Sequence, residues 1–460
     1  MVKLAIPFCT HGFSPLVPDL PAMIMRFLNY ITDGRYWIIK AWVLSLIAAL
    51  SLSCVPAIFQ DGLQWDDLNP PLPPAYELKA DDPLADTAQL MIPVDEGSRS
   101  HGAKLTPRVF SAACLFLTKE SNLHPYLPAS LGGCLLLLAG IISGYRITGD
   151  RMVGLGASLI LAGLYSTNAC FSMNFEPKPF DGVAIGLVAL TLILIERPIL
   201  FTGSAFLACF TDERAIMSLG LIGLTAIFLP NMEPKKRQNR CWMLMAAVLI
   251  YVIARRVLGM FCQWSSADLS MLGDNLLIST SYWQLASWSC FEGAWVLIVL
   301  AIWTSWKNHS PIISLLLVAA AIGSIASCLV VLDISRASCF AFPLIFAALA
   351  ALARTLENEN PPASIRPREV NSPADAKNSK SGNRHGKVRK RAKPVPTIEK
   401  TDPIVDFDPK IAWSPTNCLY GPVFLAALVS LISTNWEIIM ATIVSPCPST
   451  LIWLIQTVAH

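Results

Sequence analysis

Long apolar runs separated by short polar turns dominate the hydrophobicity pattern of this 460-residue chain. A membrane-spanning helix needs about 20 apolar residues, and somewhat fewer where it packs against other helices. By this measure the pattern predicts helical spans at roughly 37–58, 126–145, 152–171, 182–196, 198–211, 215–230, 241–262, 286–305, 311–332, 337–353 and 418–440. A last short run, 447–459, either returns through the membrane or lies along it, so we expect about ten to twelve spans.

Composition agrees with a membrane location. Hydrophobic residues make up 54% of the chain and charged residues only 15%, whereas an ordinary soluble domain has roughly a quarter charged residues. A bilayer tolerates this composition because the outer surface of the protein can then be apolar. The net charge of +3 argues against a nucleic-acid partner. We therefore expect an all-α fold, a polytopic transmembrane helical bundle, surrounded by membrane lipid.

The distribution of charge predicts the orientation. Lys and Arg are enriched in cytoplasmic loops, and with the N-terminus inside the long basic segments all fall on the cytoplasmic side. Segment 233–240 has four basic residues and one acid, and segment 354–412 has 13 basic residues and eight acids. Loop 59–107, with nine acids and three basic residues, then falls outside. Without the short span 198–211, the basic segments 233–240 and 354–412 would fall outside, so the prediction retains that span.

These features divide the chain into four parts. They are a cytoplasmic lead-in (1–35), a transmembrane bundle with the large outer loop 59–107 (36–353), a basic, disordered cytoplasmic linker (354–412) and a C-terminal transmembrane part (413–460). Segment 380–393 of the linker has seven basic residues and no acid. It either anchors the topology or contacts anionic lipid or an acidic protein partner.

Charged residues also gather where a membrane protein ordinarily avoids them, at the outer ends of the predicted spans and within one of them. Ionisable groups in such places are costly and usually mark a site or a structural pair. Arginine binds phosphate well through its forked guanidinium, and a carboxylate in a dry pocket can act as a general base. The candidate residues are Asp66, Asp67, Arg108, Asp212, Glu213, Arg214, Arg255, Arg256, Glu292, Asp333 and Arg336.

Each candidate also has a purely structural interpretation. Asp66 and Asp67 can be solvated loop acids, and Arg255 and Arg256 can extend to the outer interface. Glu213–Arg214 and Asp333–Arg336 can be ion pairs. Asp181, which opens a predicted span, is most simply a helix cap. Glu292 has no neutralising neighbour in the sequence, so it is either protonated or paired with an arginine elsewhere in the bundle.

A family resemblance adds to this interpretation. The long loop after the first span, with acids soon after that span, resembles the GT-C class of membrane glycosyltransferases. The runs DGVAIGLVALTLILIERP (181–198), FTDERAIMSL (210–219) and LDISRAS (332–338) resemble uncharacterised membrane proteins found among polysaccharide-assembly genes, which are themselves usually regarded as GT-C-like.

The resemblance implies a GT-C-like fold in the inner membrane of the cell and a polyprenyl-phosphate sugar as donor. The acceptor would be a glycan or a lipid. Asp66 or Asp67 would be the catalytic base, and the remaining candidate residues would bind substrate, with Arg255, Arg256 and Arg336 on phosphate. The sequence leaves open whether a divalent metal assists.

Two other functions remain open. The chain can be a non-catalytic subunit of a larger membrane complex, in which case its acids and arginines would pair with one another. A secondary transporter is the third hypothesis. Such proteins have ionisable groups near the bilayer midplane and two related halves, whereas here the charges cluster at one face and no internal repeat is visible, so this hypothesis ranks last.

Overall fold

The computed structural model describes residues 20–53, 110, 127–171, 179–230, 232–261, 283–330, 334–359, 418–433, 435–439 and 442–447. These residues form a helical bundle with one small hairpin. Its α-helices are α1 (Leu20–Thr32), α2 (Trp37–Ser53), α3 (Leu127–Thr148), α4 (Arg151–Gly163), α5 (Tyr165–Phe171), α6 (Pro179–Ile193), α7 (Pro198–Thr211), α8 (Ala215–Phe228), α9 (Pro234–Phe261), α10 (Trp283–Phe291), α11 (Trp295–Lys307), α12 (Pro311–Leu329), α13 (Ile334–Ser338), α14 (Pro343–Glu359) and α15 (Tyr420–Ile432). Two 3₁₀ turns, Glu292–Ala294 and Cys339–Ala341, and strands β1 (Asn435–Ile439) and β2 (Thr442–Cys447) complete the list.

The predicted membrane helical bundle is confirmed. Every predicted span from 37–58 to 418–440 contains at least one helix. Within the described residues, five helices are long and apolar enough to cross a membrane, or six if the bent pair α4–α5 counts as one span. The other apolar helices, such as α6, α7 and α8, have 13 to 17 residues. Each of the predicted spans thus contains a helix at the expected position. Only about half of these helices are long enough to cross a membrane by themselves.

Two predicted spans are interrupted. The span at 152–171 bends by 66° between α4 and α5, and the span at 286–305 is broken by the 3₁₀ turn Glu292–Ala294. Hydrophobicity alone predicts a continuous helix in both places, because the residues at the breaks are themselves mostly apolar. The breaks become visible only where helices from distant parts of the chain meet.

The last predicted span, 418–440, was wrong at its C-terminal end. Its helix, α15, ends at Ile432, and β1 then pairs antiparallel with β2 in the register Asn435↔Cys447. This stretch is rich in Ile, Val and Thr, which favour strands. A short apolar run of this kind cannot be assigned to helix or strand by hydrophobicity.

Helix α1 (Leu20–Thr32) lies within the predicted lead-in. It is an amphipathic helix whose Leu28 and Ile31 are buried against the bundle, while Met23 and Phe27 are exposed. The Thr32 hydroxyl donates to the sulfur of Met152 in α4, which ties the end of α1 to the bundle.

Glycines bring α3 and α6 into close contact. A Cβ atom on Gly186 would lie 2.5 Å from the Cα of Gly132, and one on Gly182 would lie 2.6 Å from the Cβ of Ala129. Without a side chain at these positions the two backbones can approach, which is how small residues spaced four apart pack membrane helices. This contact fixes the start of α6, where Asp181 lies.

Arginines at the opposite end of α6 cap its carbonyl groups. Arg146 donates to Ile193 O at 2.8 Å and lies 3.4 Å from the Glu196 carboxylate. Arg240 donates to Ile195 O and, at 3.0 Å, to Glu196 O. The last carbonyls of a helix have no partner within it, and cations are favoured there. We call this end of the bundle, with its Arg146, Glu196, Arg197 and 233–240 residues, the basic end.

Helices α6 and α7 run antiparallel between the basic end and a second charged region. Helix α7 begins beside Glu196 and Arg197 and returns to Asp212, which meets Asp181 through a shared arginine. Helix α7 has 14 residues and is therefore about 21 Å long. It connects two charged layers over a shorter distance than the roughly 30 Å hydrocarbon core.

The α3–α6 contact leads to a stability prediction. Gly186→Val should destabilise the protein by about 2 kcal/mol, because the added atoms overpack a closed helix contact. Gly220→Val is the matched control, since no atom lies within 4 Å of a Cβ at Gly220. Thermal unfolding of both variants in one detergent measures the effect. Equal melting temperatures for the two would contradict the close α3–α6 contact.

Candidate functional site

Four charged side chains form a buried network at the end of α6 opposite the basic end. Arg336 forks onto Asp181, with Nε–Oδ2 at 2.5 Å and Nη2–Oδ1 at 3.0 Å. Arg214 forks onto Asp212, with Nε–Oδ1 at 2.8 Å and Nη2–Oδ2 at 2.5 Å, and its Nη2 also reaches Asp181 Oδ1 at 2.6 Å. Acid and base alternate in the order Asp212, Arg214, Asp181, Arg336. We call these four residues the ion network.

The turn between α7 and α8 presents two members of the network. Asp212 ends α7 in an extended conformation, and its Oδ1 accepts the backbone N–H of Arg214 at 2.9 Å. Aspartate favours such turns because its short side chain can bond to the backbone two residues ahead. This bond turns the Arg214 side chain back over the Asp212 carboxylate. Asp212 and Arg214, two positions apart in one turn, thus supply half of the network.

Asp181 and Arg336 come from other parts of the chain. Asp181 lies in the first turn of α6, behind Pro179, where proline fits well and the helix dipole stabilises a carboxylate. Arg336 lies in the five-residue helix α13. The turn after α13 is fixed to α8, because the Ser218 hydroxyl donates to Phe340 O at 2.5 Å. The Arg214 guanidinium also lies 5.1 Å from the centre of the Phe340 ring, within the range of a cation–π contact.

The network is nearly sealed from solvent. The exposed fractions of the side chains are 3% for Asp181, 0% for Asp212, 14% for Arg214 and 12% for Arg336. Two acids and two arginines leave no net charge on the four groups, which is the condition under which charges can be buried.

Other predicted site residues surround the network at the same end. Glu213 follows Asp212 and interacts electrostatically with Tyr251. Arg255 donates to the Tyr251 hydroxyl at 2.8 Å, and the Tyr251 ring packs edge-on against Phe210, with 5.0 Å between centroids. Arg256 is exposed on α9. The structure thus brings Asp212, Glu213, Arg214, Arg255 and Arg336 to one end of the bundle.

Glu292 lies where three helix ends meet. It is 1% exposed and has a φ of +43°, a left-handed conformation that is strained for a residue with a side chain. Its Oε1 accepts the backbone N–H of Tyr165 at 3.2 Å, at the start of α5, and its Oε2 lies 3.5 Å from the Ser433 hydroxyl. The Glu292 carboxylate therefore caps a helix end that the α4–α5 bend leaves without an intrahelical acceptor.

A short chain of contacts joins Glu292 to the ion network. The Ser166 hydroxyl, next to Tyr165 in α5, donates to Cys339 O at 2.9 Å. Cys339 follows α13, the helix that carries Arg336, and β1 also packs against α13. The two interrupted spans thus hold the element that presents Arg336 to Asp181.

Helix lengths set the depth of the network. Asp181 lies 15 residues from Glu196, or about 22 Å along a helix at 1.5 Å per residue. With the basic end at one membrane interface, the network lies about 8 Å short of the far side of a 30 Å hydrocarbon core. This depth explains why each guanidinium forks onto a carboxylate, because unpaired charges are costly there.

Some predictions fall elsewhere. Asp66, Asp67, Arg108 and Asp333 lie outside the described residues, so their predicted roles stay predictions. Asp181 lies in the first turn of α6, as the helix-cap interpretation expects, but its carboxylate also binds two arginines. Arg214 pairs with Asp212 and Asp181, whereas the sequence suggested Glu213 as its partner. Glu292 was interpreted as either protonated or paired with an arginine, and in the structure its carboxylate contacts the Tyr165 N–H and the Ser433 hydroxyl.

The sequence analysis missed the supporting residues Tyr165, Ser166, Ser218, Cys339 and Phe340. Their role depends on backbone atoms and ring faces rather than charge, so no motif marks them. Asp181 could have been recognised as a network member, because it directly precedes the Gly182–Gly186 pair that brings α6 against α3.

Comparisons of this chain with protein-family models, with curated proteins and with solved structures find no match. Within the described residues, no group of three or more His, Cys, Asp or Glu side chains is arranged to hold a metal ion. The described residues at this end of the bundle offer arginines and carboxylates, with a tyrosine hydroxyl beside them.

The network leads to a second stability prediction. Arg336→Met should destabilise the protein by about 3 kcal/mol, because it leaves the Asp181 carboxylate buried with one cation fewer. Arg336→Lys should recover only part of this loss, since an ammonium cannot fork onto a carboxylate. Unfolding in detergent measures both, with the exposed Arg256→Met as control at within about 0.5 kcal/mol of wild type. An Arg336→Met variant as stable as Arg256→Met would mean that the fork contributes nothing.

Proposed function

We propose that this protein is an integral membrane glycosyltransferase of the GT-C type. It moves a sugar from a polyprenyl-phosphate donor to a glycan or lipid acceptor on the non-cytoplasmic side of the inner membrane. The observation that supports this most is the meeting of Asp181, the 212–214 turn, Arg255 and Arg336 at one end of the bundle. That end is opposite the basic end, which the charge distribution assigns to the cytoplasm.

The proposal separates two groups of arginines. Arg214 and Arg336 are held by carboxylates within the bundle, so they position the 212–214 turn and α13 rather than receive a phosphate. Arg255 has a neutral hydrogen-bond partner, the Tyr251 hydroxyl, and Arg256 is exposed beside it. These two guanidiniums are the better candidates for the donor phosphate, because a phosphate oxygen competes well with a neutral acceptor.

The catalytic base in this proposal is Asp66 or Asp67. Either carboxylate would take the proton from the acceptor hydroxyl as that oxygen attacks the anomeric carbon, and the polyprenyl phosphate would leave. The ion network at the same end of the bundle has no net charge, so it would not repel the phosphate.

A non-catalytic subunit of a larger membrane complex is the second candidate. The mutual pairing of Asp181, Asp212, Arg214 and Arg336 favours it, since paired charges hold a bundle together without a substrate. In that case the protein would copurify from its native membranes with partners in fixed stoichiometry, and the basic segment 380–393 would be a docking site for one of them.

The glycosyltransferase proposal predicts the effect of removing the base. Asp66→Asn or Asp67→Asn should lower the rate of sugar transfer by about a hundredfold or more, because general base catalysis contributes a rate factor of that order. Transfer is measured in isolated membranes with polyprenyl-phosphate sugars extracted from the source cells and mass detection of the product. Asp86→Asn, in the same acidic loop, is the matched control and should transfer normally.

Membrane insertion of each variant is checked by resistance to alkaline extraction, so that a loss of transfer is not confused with a loss of protein. Full transfer by both single variants and by the Asp66→Asn/Asp67→Asn double variant would remove these acids from the mechanism. Absence of transfer by the wild type, together with stoichiometric partners, would support the subunit candidate instead.

A further inference from the structure

An apolar groove of about 470 Å³ lies between α7 and α9 on the surface of the bundle. It is lined by Ile199, Gly203 and Phe206 of α7 and by Met243, Ala247 and Ile250 of α9. Ile199 is 84% exposed and Ile250 52% exposed, so the groove opens onto the outside of the bundle. In a membrane this surface faces lipid, and a concave apolar surface of this kind accommodates a chain rather than a flat contact.

The two ends of the groove differ in chemistry. At the basic end, Arg197 directly precedes α7, and Lys235 and Lys236 begin α9; all three are exposed. The Arg240 guanidinium lies 5.8 Å from the centre of the Phe201 ring and 3.4 Å from the sulfur of Met243, a groove residue. Cations therefore surround one mouth of an otherwise apolar channel.

Aromatic rings close the other end. Phe206 lines the groove and packs against Phe210, with ring centroids 4.8 Å apart, and Phe210 packs against Tyr251 at 5.0 Å. These rings separate the groove from Arg255 and the ion network. A ligand in the groove thus has its polar part at the basic end only.

The groove is short enough to lie within one leaflet of a bilayer. From Ile199 to Phe206 is seven residues of helix, or about 10 Å, and half of a hydrocarbon core is about 15 Å. An acyl chain entering beside Arg197 would fill the groove and end near the rings. At the start of α7, Pro198 has no N–H and the Phe201 N–H bonds to Arg197 O, so only the Ile199 and Leu200 N–H groups lack an acceptor within the helix. The positive end of the helix dipole at this start also favours an anionic group nearby.

We propose that this groove is a binding site for an anionic phospholipid of the leaflet that faces the basic end. One acyl chain lies between α7 and α9, and the phosphate headgroup lies beside the exposed Arg197 and Lys235. The Arg240 guanidinium is buried and bonds to the Ile195 and Glu196 carbonyls, so it forms part of the wall and not of the headgroup site. Lys236 contributes less, because it pairs with Glu233 at 3.2 Å. This site differs from the proposed donor site, which is at the opposite end of the bundle.

A substitution at Gly203 tests the apolar part of the site. No atom lies within 4 Å of a Cβ built on Gly203, so Gly203→Leu fills the groove without colliding with the protein, and leucine favours helix over glycine. Gly323→Leu on α12 is the matched control, since Gly323 is also exposed and also has no atom within 4 Å.

Binding is measured by native mass spectrometry of the full chain released from nanodiscs containing equal amounts of phosphatidylglycerol and phosphatidylcholine with the same acyl chains. Wild type and Gly323→Leu should retain phosphatidylglycerol in preference to phosphatidylcholine. Gly203→Leu should lose that retention about tenfold. Arg197→Gln should weaken the preference about fivefold, as expected for one cation near an anionic surface, whereas Lys307→Gln, an exposed cation on α11, should not.

Equal retention of the two lipids by the wild type would overturn the proposal, as would a Gly203→Leu variant that retains phosphatidylglycerol as Gly323→Leu does. Inorganic phosphate at millimolar concentration should not displace the lipid; displacement would mean that the cations bind phosphate alone and that the groove has no part in it. Lipid retention is independent of sugar transfer, so this test and the test of the proposed function can fail separately.

Discussion

A carboxylate can lie inside a membrane bundle only where cations surround it, and Asp181 meets this condition with two arginines from distant parts of the chain. The consequences extend through the fold. Arg214 must come from a turn that places it over Asp212 as well, and Arg336 must come from a short helix held between α5 and α8. Because removing one member leaves a buried charge, the α6 start, the α7–α8 turn and α13 are bound together as one unit.

The two interrupted spans serve the same unit. A helix break in a membrane leaves backbone groups without partners, and such breaks persist only where other groups satisfy them. At the α4–α5 bend the Glu292 carboxylate accepts the Tyr165 N–H, while Glu292 itself occupies the break between α10 and α11. The α10–α11 break thus supplies the acceptor that the α4–α5 bend lacks. The Ser166 hydroxyl then donates to Cys339 O, next to the helix that carries Arg336, so the two breaks and the ion network stabilise one another.

The charged groups at the two ends of the bundle have different tasks. At the basic end, Arg146 and Arg240 bond to backbone carbonyls of the α6 terminus, whereas Arg197 and Lys235 are exposed. At the opposite end the arginines of the network face inward. Arg197 and Lys235 can therefore meet lipid headgroups, whereas the inward arginines organise the surface on which the proposed chemistry would take place. This contrast explains why the same residue type appears in a lipid site and in a structural one.

The sequence by itself determined the membrane class, the positions of the helices and the end of the bundle at which Asp212, Glu213, Arg214, Arg255 and Arg336 gather, because hydrophobic length and charge distribution are local properties of the chain. Helix α7 is the clearest case, since its predicted bounds of 198–211 agree with the structure. The folded structure was needed to show that Asp181 pairs with Arg336 and that spans break at Leu164 and at Glu292. These outcomes depend on contacts between residues more than a hundred positions apart, such as Asp181 with Arg336 and Tyr165 with Glu292, and no periodicity along the chain records such contacts. The hairpin after α15 is local, but a short apolar run does not distinguish strand from helix.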